Sequence, residues 1–205
     1  EKILQEIRNL QRSEIQEAGE GFDIKKQVGS STMAHKKNPI KSENASGLAR
    51  IVRSMIIPTY ENALLWHERD LANSSSERFT LSHGSALCED VINKTRQVLT
   101  NMWVDADRCL ENIKSQRGLV MAEKVMIELV EHGIPRDEAH EILRSASFEA
   151  VDKKIELIDV CSRTPEIAAA FSAEELEAMF DPMNHIGVSG EIVDEAVNLA
   201  RLAVQ

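Results

Sequence analysis

Apolar residues recur at steps of three and four along most of this chain, and that spacing predicts helices. A first helix is predicted over 1–18 and a second over 39–65. Asn38 is well suited to be the N-cap of the second helix, because Pro39 would then occupy its first position. Pro58 lacks a backbone N–H, so we expect it to kink this helix or to end its regular part.

The apolar spacing then continues without a proline from Ser74 to about Ile113. Ser74 and Glu77 form an S-x-x-E pattern, which is typical of a capping box at the start of a helix. The pattern therefore predicts one helix of about forty residues, about 60 Å long, with Cys88 and Cys109 among its core residues. Such a helix exceeds the ~30–40 Å diameter of a domain of this size, so we expect helices of other subunits to cover it.

Shorter helices are predicted beyond residue 114, and no alternating strand or Asn-Gly hairpin occurs. They are predicted around 117–132 and 135–150, from Thr164-Pro165-Glu166, from Ser172-Ala-Glu-Glu175, and over 191–203. The predicted fold class is all-α. Residues 1–114 would form long helices of a central helical bundle, and residues 115–205 a small C-terminal helical domain.

Composition and charge narrow the possible classes of protein. The 205 residues are 42% hydrophobic and carry a formal net charge of −10. The apolar content is that of a folded protein, and the negative charge argues against a general nucleic-acid or anionic-membrane surface. No apolar run approaches the ~20 residues of a membrane span. The three cysteines are far apart and form no zinc pattern, which favours free thiols in a reducing cytoplasm and indicates neither metal nor cofactor.

A basic segment over 19–39 interrupts the helical pattern and begins a candidate anion-binding site. No acidic residue occurs between Asp23 and Glu43. The same stretch contains five lysines: Lys25, Lys26, Lys36, Lys37 and Lys41. From residue types alone, Ser30 and Ser31 could serve as a nucleophile, a base or a phosphate ligand, or could only shape a solvated hinge loop. The glycines of a hydrolase elbow or a Walker loop are absent.

The string Gly29-Ser-Ser-Thr-Met-Ala-His-Lys-Lys-Asn-Pro39 resembles the signature loop of the fumarase/aspartase superfamily, G-S-S-x-M-P-x-K-x-N-P. It agrees at every fixed position except Ala34, where the superfamily has proline, and this change should loosen the loop modestly. The segments 7–15, 40–44 and 65–78 make the chain most similar to the adenylosuccinate lyase family. The resemblance covers essentially the whole chain but only about the C-terminal half of a family member, so we expect a piece of a longer protein.

This resemblance implies a β-elimination that releases fumarate from adenylosuccinate, leaving AMP, and from the succinyl-carboxamide ribotide of purine synthesis. Ser30 matches the family's general base, and Lys36 and Asn38 match groups that bind the succinyl carboxylates. Glu43 matches a residue that orients an active-site histidine. The resemblance also assigns substrate contacts to the remaining signature residues Ser31, Thr32 and Met33.

The same resemblance places the nucleotide phosphate against Arg69, Ser74 and Arg78. Family members are homotetramers whose active sites combine segments from three subunits. Their general-acid histidine comes from segments that precede this stretch of sequence, so the chain alone is expected to be inactive.

Simpler structural roles stay open for several of these residues. Asn38 and Ser74 could only cap helices, and Glu43, Arg69 and Arg78 could form buried ion pairs. Two other functions also stay open. One is another superfamily lyase, of the argininosuccinate lyase or carboxymuconate cycloisomerase type, which would not require all three phosphate residues. The other is a non-catalytic helical oligomerisation scaffold.

Overall fold

The computed structural model describes residues 1–21 and 37–204, and it confirms the all-α fold class. The only strands among these residues are two short segments that pair with each other. The chain divides into two compact units, of which one ends at Cys109 and the other begins at Leu110. The assignment of 1–114 to a central bundle and of 115–205 to a small C-terminal domain stays a prediction.

The first unit consists of helices and one two-stranded pair. Its elements are α1 (Lys2–Leu10), β1 (Ala18–Gly19), α2 (Ile40–Ser54), α3 (Ile56–Glu61), α4 (Ala72–Thr80), α5 (Ser82–Asn101) and β2 (Trp103–Val104). Helix α6 (Ala106–Ser115) begins in this unit.

Helices α2 and α5 run antiparallel in this unit. Ala45 near the start of α2 and Val98 near the end of α5 share one buried cluster with Leu4 and Ile7 of α1. At the opposite end, a Cβ added to Gly84 of α5 would lie 3.2 Å from Met55 Sδ, just past α2. The start of α2 therefore lies beside the end of α5, and the end of α2 lies beside the start of α5.

The second unit has the larger core. Its elements are a 3-10 helix (Leu119–Met121), α7 (Ala122–Glu131), α8 (Arg136–Lys153), α9 (Leu157–Cys161), α10 (Pro165–Ala170), α11 (Ala173–Phe180), a second 3-10 helix (Pro182–His185) and α12 (Ser189–Ala203). The core includes Val125, Leu129, Ala139, Leu143, Leu157, Val160, Cys161, Ile167 and Phe171. Burial raises the pKa of the Cys161 thiol to about 11.

The single helix predicted from Ser74 to about Ile113 is wrong, because the chain forms α4, α5 and α6 there. After Asn101 the backbone turns extended, and Trp103 and Val104 pair with β1 in antiparallel register. Asp105 then starts α6 by accepting the Arg108 N–H at 2.9 Å. Steps of three and four continue through this break, so apolar spacing alone did not reveal it.

Two related predictions need correction. Cys88 is exposed and Cys109 is half-buried, so neither is a core residue in this chain. The first helix ends at Leu10 instead of extending to residue 18, and Gln16 adopts a left-handed backbone with φ of 58°.

The expected effect of Pro58 is confirmed. Helix α2 ends at Ser54 and α3 begins at Ile56, so the break lies one turn before the proline. The missing N–H of Pro58 removes the hydrogen bond that would have continued the helix to the Ser54 carbonyl.

The predicted start of α11 is also confirmed. The Glu175 N–H donates to Ser172 Oγ at 3.2 Å, and the Ser172 N–H donates to Glu175 Oε2 at 2.8 Å, which completes a capping box. The bond from the Ser172 N–H, followed by its hydroxyl, lowers the pKa of the Glu175 carboxyl below its ordinary value. The local pattern S-x-x-E is sufficient here because both partners lie within one turn.

We expect Ser172→Ala to lower the free energy of unfolding of the second unit by about 1 kcal/mol, the usual cost of a lost N-cap. Chemical denaturation followed by circular dichroism would measure it. Ser145→Ala is the matched control, because Ser145 is exposed inside α8, where alanine is a better helix former. Equal stability changes in the two variants would contradict the capping role of Ser172.

Candidate active site

The signature residues Ser30, Ser31, Thr32, Met33 and Lys36 lie outside the described residues, as does Ala34. Their assigned roles stay predictions. The described part of the candidate site consists of the start of α2 and the connection from α3 to α4.

A carboxylate from a distant part of the chain caps the start of α2. Glu20 Oε1 accepts the Lys41 N–H at 3.1 Å, and Oε2 accepts the Ser42 N–H and the Ser42 hydroxyl, both at 2.9 Å. The first-turn N–H groups of a helix have no intrahelical partner and carry partial positive charge, so a carboxylate is well matched to them. Glu20 is only 5% exposed.

The prediction that Asn38 caps this helix is therefore wrong. Helix α2 begins at Ile40 with Pro39 at the cap position, and no side chain of the cap residue bonds the first turn. Asn38 is half-buried one residue further out, and its carbonyl accepts the Ile40 N–H at 2.9 Å. Because Glu20 already bonds the first-turn amides, Asn38 is not needed as their cap.

Gln11 connects the two chain segments that meet at the start of α2. Its Oε1 accepts the Glu20 N–H at 2.9 Å, and its Nε2 donates to the Lys37 carbonyl at 3.0 Å. Each end of the side-chain amide thus holds a different stretch of backbone. These bonds link the residues just before 22–36 to those just after.

Glu43 projects from the first turn of α2 and is exposed. Within this chain it therefore forms no buried ion pair, and the alternative of an ion pair buried in a bundle stays open. Glu43 and Asn38 both lie at the start of α2 and so are brought to one end of the helix.

The second group of candidate residues lies on and before α4. Asp70 starts this helix: its Oδ1 accepts the Ala72 N–H at 2.8 Å, and its Oδ2 accepts the Trp66 N–H at 2.9 Å. The Ala72 bond, followed by the Trp66 bond, lowers the pKa of the Asp70 carboxyl. Because α4 begins at Ala72, the predicted capping box at Ser74 and Glu77 is wrong.

Ser74 lies within the first turn of α4, half-buried, and Arg78 lies one turn further on, exposed. Residues four apart share a helix face, so both can contact one ligand. Arg69 is exposed just before the helix. Neither arginine is buried within this chain, and the alternative of ion pairs buried in a bundle stays open for both.

A polar cluster holds α4 against the end of α3. Ser76 Oγ donates to Asn62 Oδ1, and Asn73 Nδ2 donates to Glu77 Oε1 at 2.9 Å. Glu77 accepts a hydrogen bond from the buried Asn73 one turn earlier in the same helix. It therefore does not cap α4. The cluster fixes the orientation of the helix that carries Ser74 and Arg78.

The structure does not bring the two groups of candidate residues together within one chain. Asn38 and Glu43 lie at the start of α2, whereas Arg78 precedes α5, which begins beside the end of α2. Helix α2 has 15 residues and is therefore about 22 Å long. The two groups are thus separated by most of the length of α2.

The described residues contain no group of three or more His, Cys, Asp or Glu side chains placed to hold a metal ion. In the same part of the chain, no helix combines the length and the apolar character needed to cross a membrane.

Comparison with known proteins shows which enzymes this chain resembles. A family model described as adenylosuccinate lyase C-terminus matches residues 118–196, and one described as lyase matches residues 1–54. Adenylosuccinate lyase of Archaeoglobus fulgidus is 42% identical over 197 residues, which cover 96% of this chain and 44% of that protein. The adenylosuccinate lyase of Streptococcus mutans is 36% identical over 194 residues, which cover 95% of this chain and 45% of that protein. Nearly the whole chain is therefore similar to part of an adenylosuccinate lyase. The chain spans less than half the length of these relatives.

Two solved structures share the fold of this chain. They are a 3-carboxy-cis,cis-muconate lactonizing enzyme from Pseudomonas putida and a fumarate lyase from Mesorhizobium sp. BNC1. The first has a TM-score of 0.83 at 29% identity and the second 0.83 at 28%, and each covers 96% of this chain and 43% of the other. Both identities are lower than those of the adenylosuccinate lyases above.

Sequence reasoning missed three residues that organise the candidate site: Gln11, Glu20 and Asp70. Asp70 had a local signal, because an aspartate often bonds the N–H two residues later in a turn. Glu20 had none, because the residues that it caps lie 21 and 22 positions away. Gln11 likewise bonds Lys37 across 26 positions.

The lowered pKa of Asp70 predicts a pH dependence. A carboxylate whose folded pKa lies below its ordinary value of about 3.9 stabilises the fold above that pH, and this contribution is lost as the pH falls through the folded pKa. Asp70→Ala should therefore destabilise the chain most near neutral pH and progressively less below about pH 4.

Carbon-detected NMR titration of Asp70, together with thermal unfolding of both proteins at several pH values, would measure this effect. Asp152→Ala is the control, because Asp152 is exposed on α8 in the second unit. An Asp70 carboxyl that titrates at or above its ordinary pKa would contradict the capping geometry.

Proposed function

We propose that this chain supplies part of the active site of an adenylosuccinate lyase of purine biosynthesis. The reaction is a β-elimination that releases fumarate from adenylosuccinate, giving AMP, and from the succinyl-carboxamide ribotide. The observation that carries the proposal is the 42% identity to an adenylosuccinate lyase over 96% of this chain. The signature string from Gly29 to Pro39 supports it independently.

The first half of the site handles the succinyl group. Ser30 removes a proton from the carbon next to a carboxylate, and negative charge builds up on that carboxylate as the C–H bond breaks. The charge then returns to form the C=C bond of fumarate as the C–N bond breaks. Lys36 and Asn38 stabilise this charge, since fixed donors aimed at developing charge lower the barrier. Ser31, Thr32 and Met33 complete the contacts, and Glu43 orients a histidine.

The second half of the site binds the nucleotide phosphate. The guanidinium groups of Arg69 and Arg78 are suited to bidentate contact with phosphate oxygens. Ser74 adds a hydroxyl donor in the first turn of α4, near the positive end of the helix dipole. The exposure of both arginines leaves their donors available to a ligand.

A homotetramer with active sites shared between subunits completes the proposal. The distance between the two halves along α2 supports this arrangement, because different copies can supply the two ends of one site. Large apolar side chains exposed on the first unit also support contact between copies; they include Ile56, Ile57, Tyr60, Leu64, Phe79 and Ile92. The leaving nitrogen takes its proton from a histidine that this chain does not supply. The site takes no metal or cofactor, and the enzyme acts in the cytoplasm.

The role of Ser30 is tested in a chimera in which this chain replaces the matching part of the Archaeoglobus fulgidus relative. Ser30→Ala should lower kcat for adenylosuccinate by about 100-fold or more, the usual contribution of a general base. Ser54→Ala is the control, because Ser54 is an exposed serine at the end of α2. Undiminished turnover in Ser30→Ala would overturn the assignment of the base.

The role of Arg78 is tested by comparing adenylosuccinate with its dephosphorylated nucleoside. Arg78→Ala should raise KM for the nucleotide about 10- to 100-fold, as expected for one lost charge-assisted hydrogen bond, and should leave the nucleoside unaffected. Arg96→Ala is the control, since Arg96 is exposed on α5. An unchanged preference for the nucleotide in Arg78→Ala would overturn the phosphate role.

The same chimera separates the other functions. Turnover of a carboxymuconate or of argininosuccinate, without turnover of adenylosuccinate, would replace the proposed substrate. Correct assembly without binding of AMP or fumarate would instead indicate a scaffold.

A further inference from the structure

The buried carboxylate of Glu20 has few alternatives to its present position. Among the described residues it forms no ion pair, and its partners are two backbone N–H groups and one hydroxyl. Moving the carboxylate away would leave a buried charge without donors, which is costly. It would also leave the first-turn amides of α2 without their acceptor. The start of α2 and Glu20 therefore hold each other in place.

The buried hydroxyls of α2 extend this contact into the helix. Ser42 and Ser46 are no more than 1% exposed, and Ser46 Oγ donates to the Ser42 carbonyl at 2.7 Å. The buried residues of α2 are Ser42, Ala45 and Ser46, so the part of the helix that packs near Glu20 is largely polar. Glu20 therefore meets α2 at a buried hydroxyl, that of Ser42.

Two glycines fix the backbone that carries Glu20. A Cβ at Gly19 would lie 2.6 Å from Trp103 Cζ2, and one at Gly21 would lie 2.1 Å from the Asn101 carbonyl oxygen. Any side chain at these positions would force the strand away from β2 and the end of α5. The close approach, with Gln11 bonded to the Glu20 N–H, leaves this stretch little freedom to move.

We propose that Gln11 and Glu20 are positioning residues for the succinyl end of the active site. Together they hold the first turn of α2, and with it Asn38 and Glu43, in a fixed place. This inference rests on the proposed function, which assigns Asn38 to a succinyl carboxylate and Glu43 to the histidine. Neither Gln11 nor Glu20 touches substrate in this proposal.

The separation of the two groups along α2 makes the inference specific. A disturbed start of α2 should weaken binding of the succinyl part and leave the phosphate end unchanged, because Arg69, Ser74 and Arg78 lie toward the other end of that helix. A general loss of stability would affect both ends together. The inhibition constants of fumarate and AMP therefore distinguish positioning from a purely structural role.

The experiment uses the same chimera with Glu20→Gln and Gln11→Met. Each should raise the inhibition constant of fumarate about tenfold or more, as expected when a buried hydrogen bond near the ligand site is lost, and should lower kcat. The inhibition constant of AMP should stay within about twofold of the unsubstituted value, well below the effect of one such bond. Amide exchange at Lys41 and Ser42 should quicken in both variants.

The matched controls are Glu6→Gln and Gln5→Met, because both residues are exposed on α1. If Glu20→Gln does not fold, Ser42→Ala removes only the hydroxyl bond to Glu20 and should shift the fumarate constant in the same direction. Gly21→Ala should behave like Glu20→Gln, whereas Gly47→Ala should not, because nothing lies within 4 Å of a Cβ at Gly47.

The outcomes that would count against the inference are distinguishable from failure of the proposed function. Full turnover with unchanged fumarate constants in Glu20→Gln and Gln11→Met would overturn the positioning role and leave the proposed function intact. A joint rise of the fumarate and AMP constants in these variants would also overturn the positioning role alone. Absence of turnover and of AMP binding in the unsubstituted chimera would overturn the proposed function and the inference with it.

Discussion

The contact between the Glu20 carboxylate and the first turn of α2 determines the arrangement of the first unit. Its two oxygens satisfy two amides and a hydroxyl that would otherwise be buried without partners. Since α2 packs along α5, the position of its first turn also sets where Asn38 and Glu43 lie. Glu20 directly follows β1, and the pairing of β1 with β2 fixes the backbone that carries it. An almost entirely helical unit therefore depends on two very short strands.

The starts of α2 and α4 follow one physical rule. In each, a carboxylate that precedes the helix in the chain accepts N–H groups of the first turn: Glu20 accepts two from α2, and Asp70 accepts that of Ala72 in α4. A carboxylate is the strongest acceptor available to the positive end of a helix dipole. Glu20 and Asp70 therefore have the capping roles that were predicted for Asn38 and Ser74. Asn38 and Ser74 lie at helix starts without serving as the cap. This placement suits residues proposed to contact an anionic substrate.

The two halves of the candidate site are too far apart in one chain to contact the same substrate. In the proposed enzyme, one chain presents the succinyl end near the start of α2 and the phosphate end toward the other end of that helix. A substrate that needs both would have to meet them on different copies. Both units leave many large apolar side chains exposed, and the second unit encloses the larger core. Assembly and catalysis are therefore linked in the proposed enzyme, because contact between copies would bury apolar surface and complete the site.

Spacing and residue type predict the helical fold, the break near Pro58, the capping box at Ser172 and Glu175, and the family resemblance. Each of these rests on residues close together in the chain. The folded chain alone reveals that Glu20 caps α2, that Gln11 joins the backbone at residues 20 and 37, and that the helix predicted from Ser74 is interrupted at Leu81 and again at Trp103. The cap, the Gln11 link and the break at Trp103 depend on partners far apart in sequence. Neither apolar periodicity nor a local motif can identify such a partner, because a hydrogen-bond acceptor can meet its donors from any position in the chain.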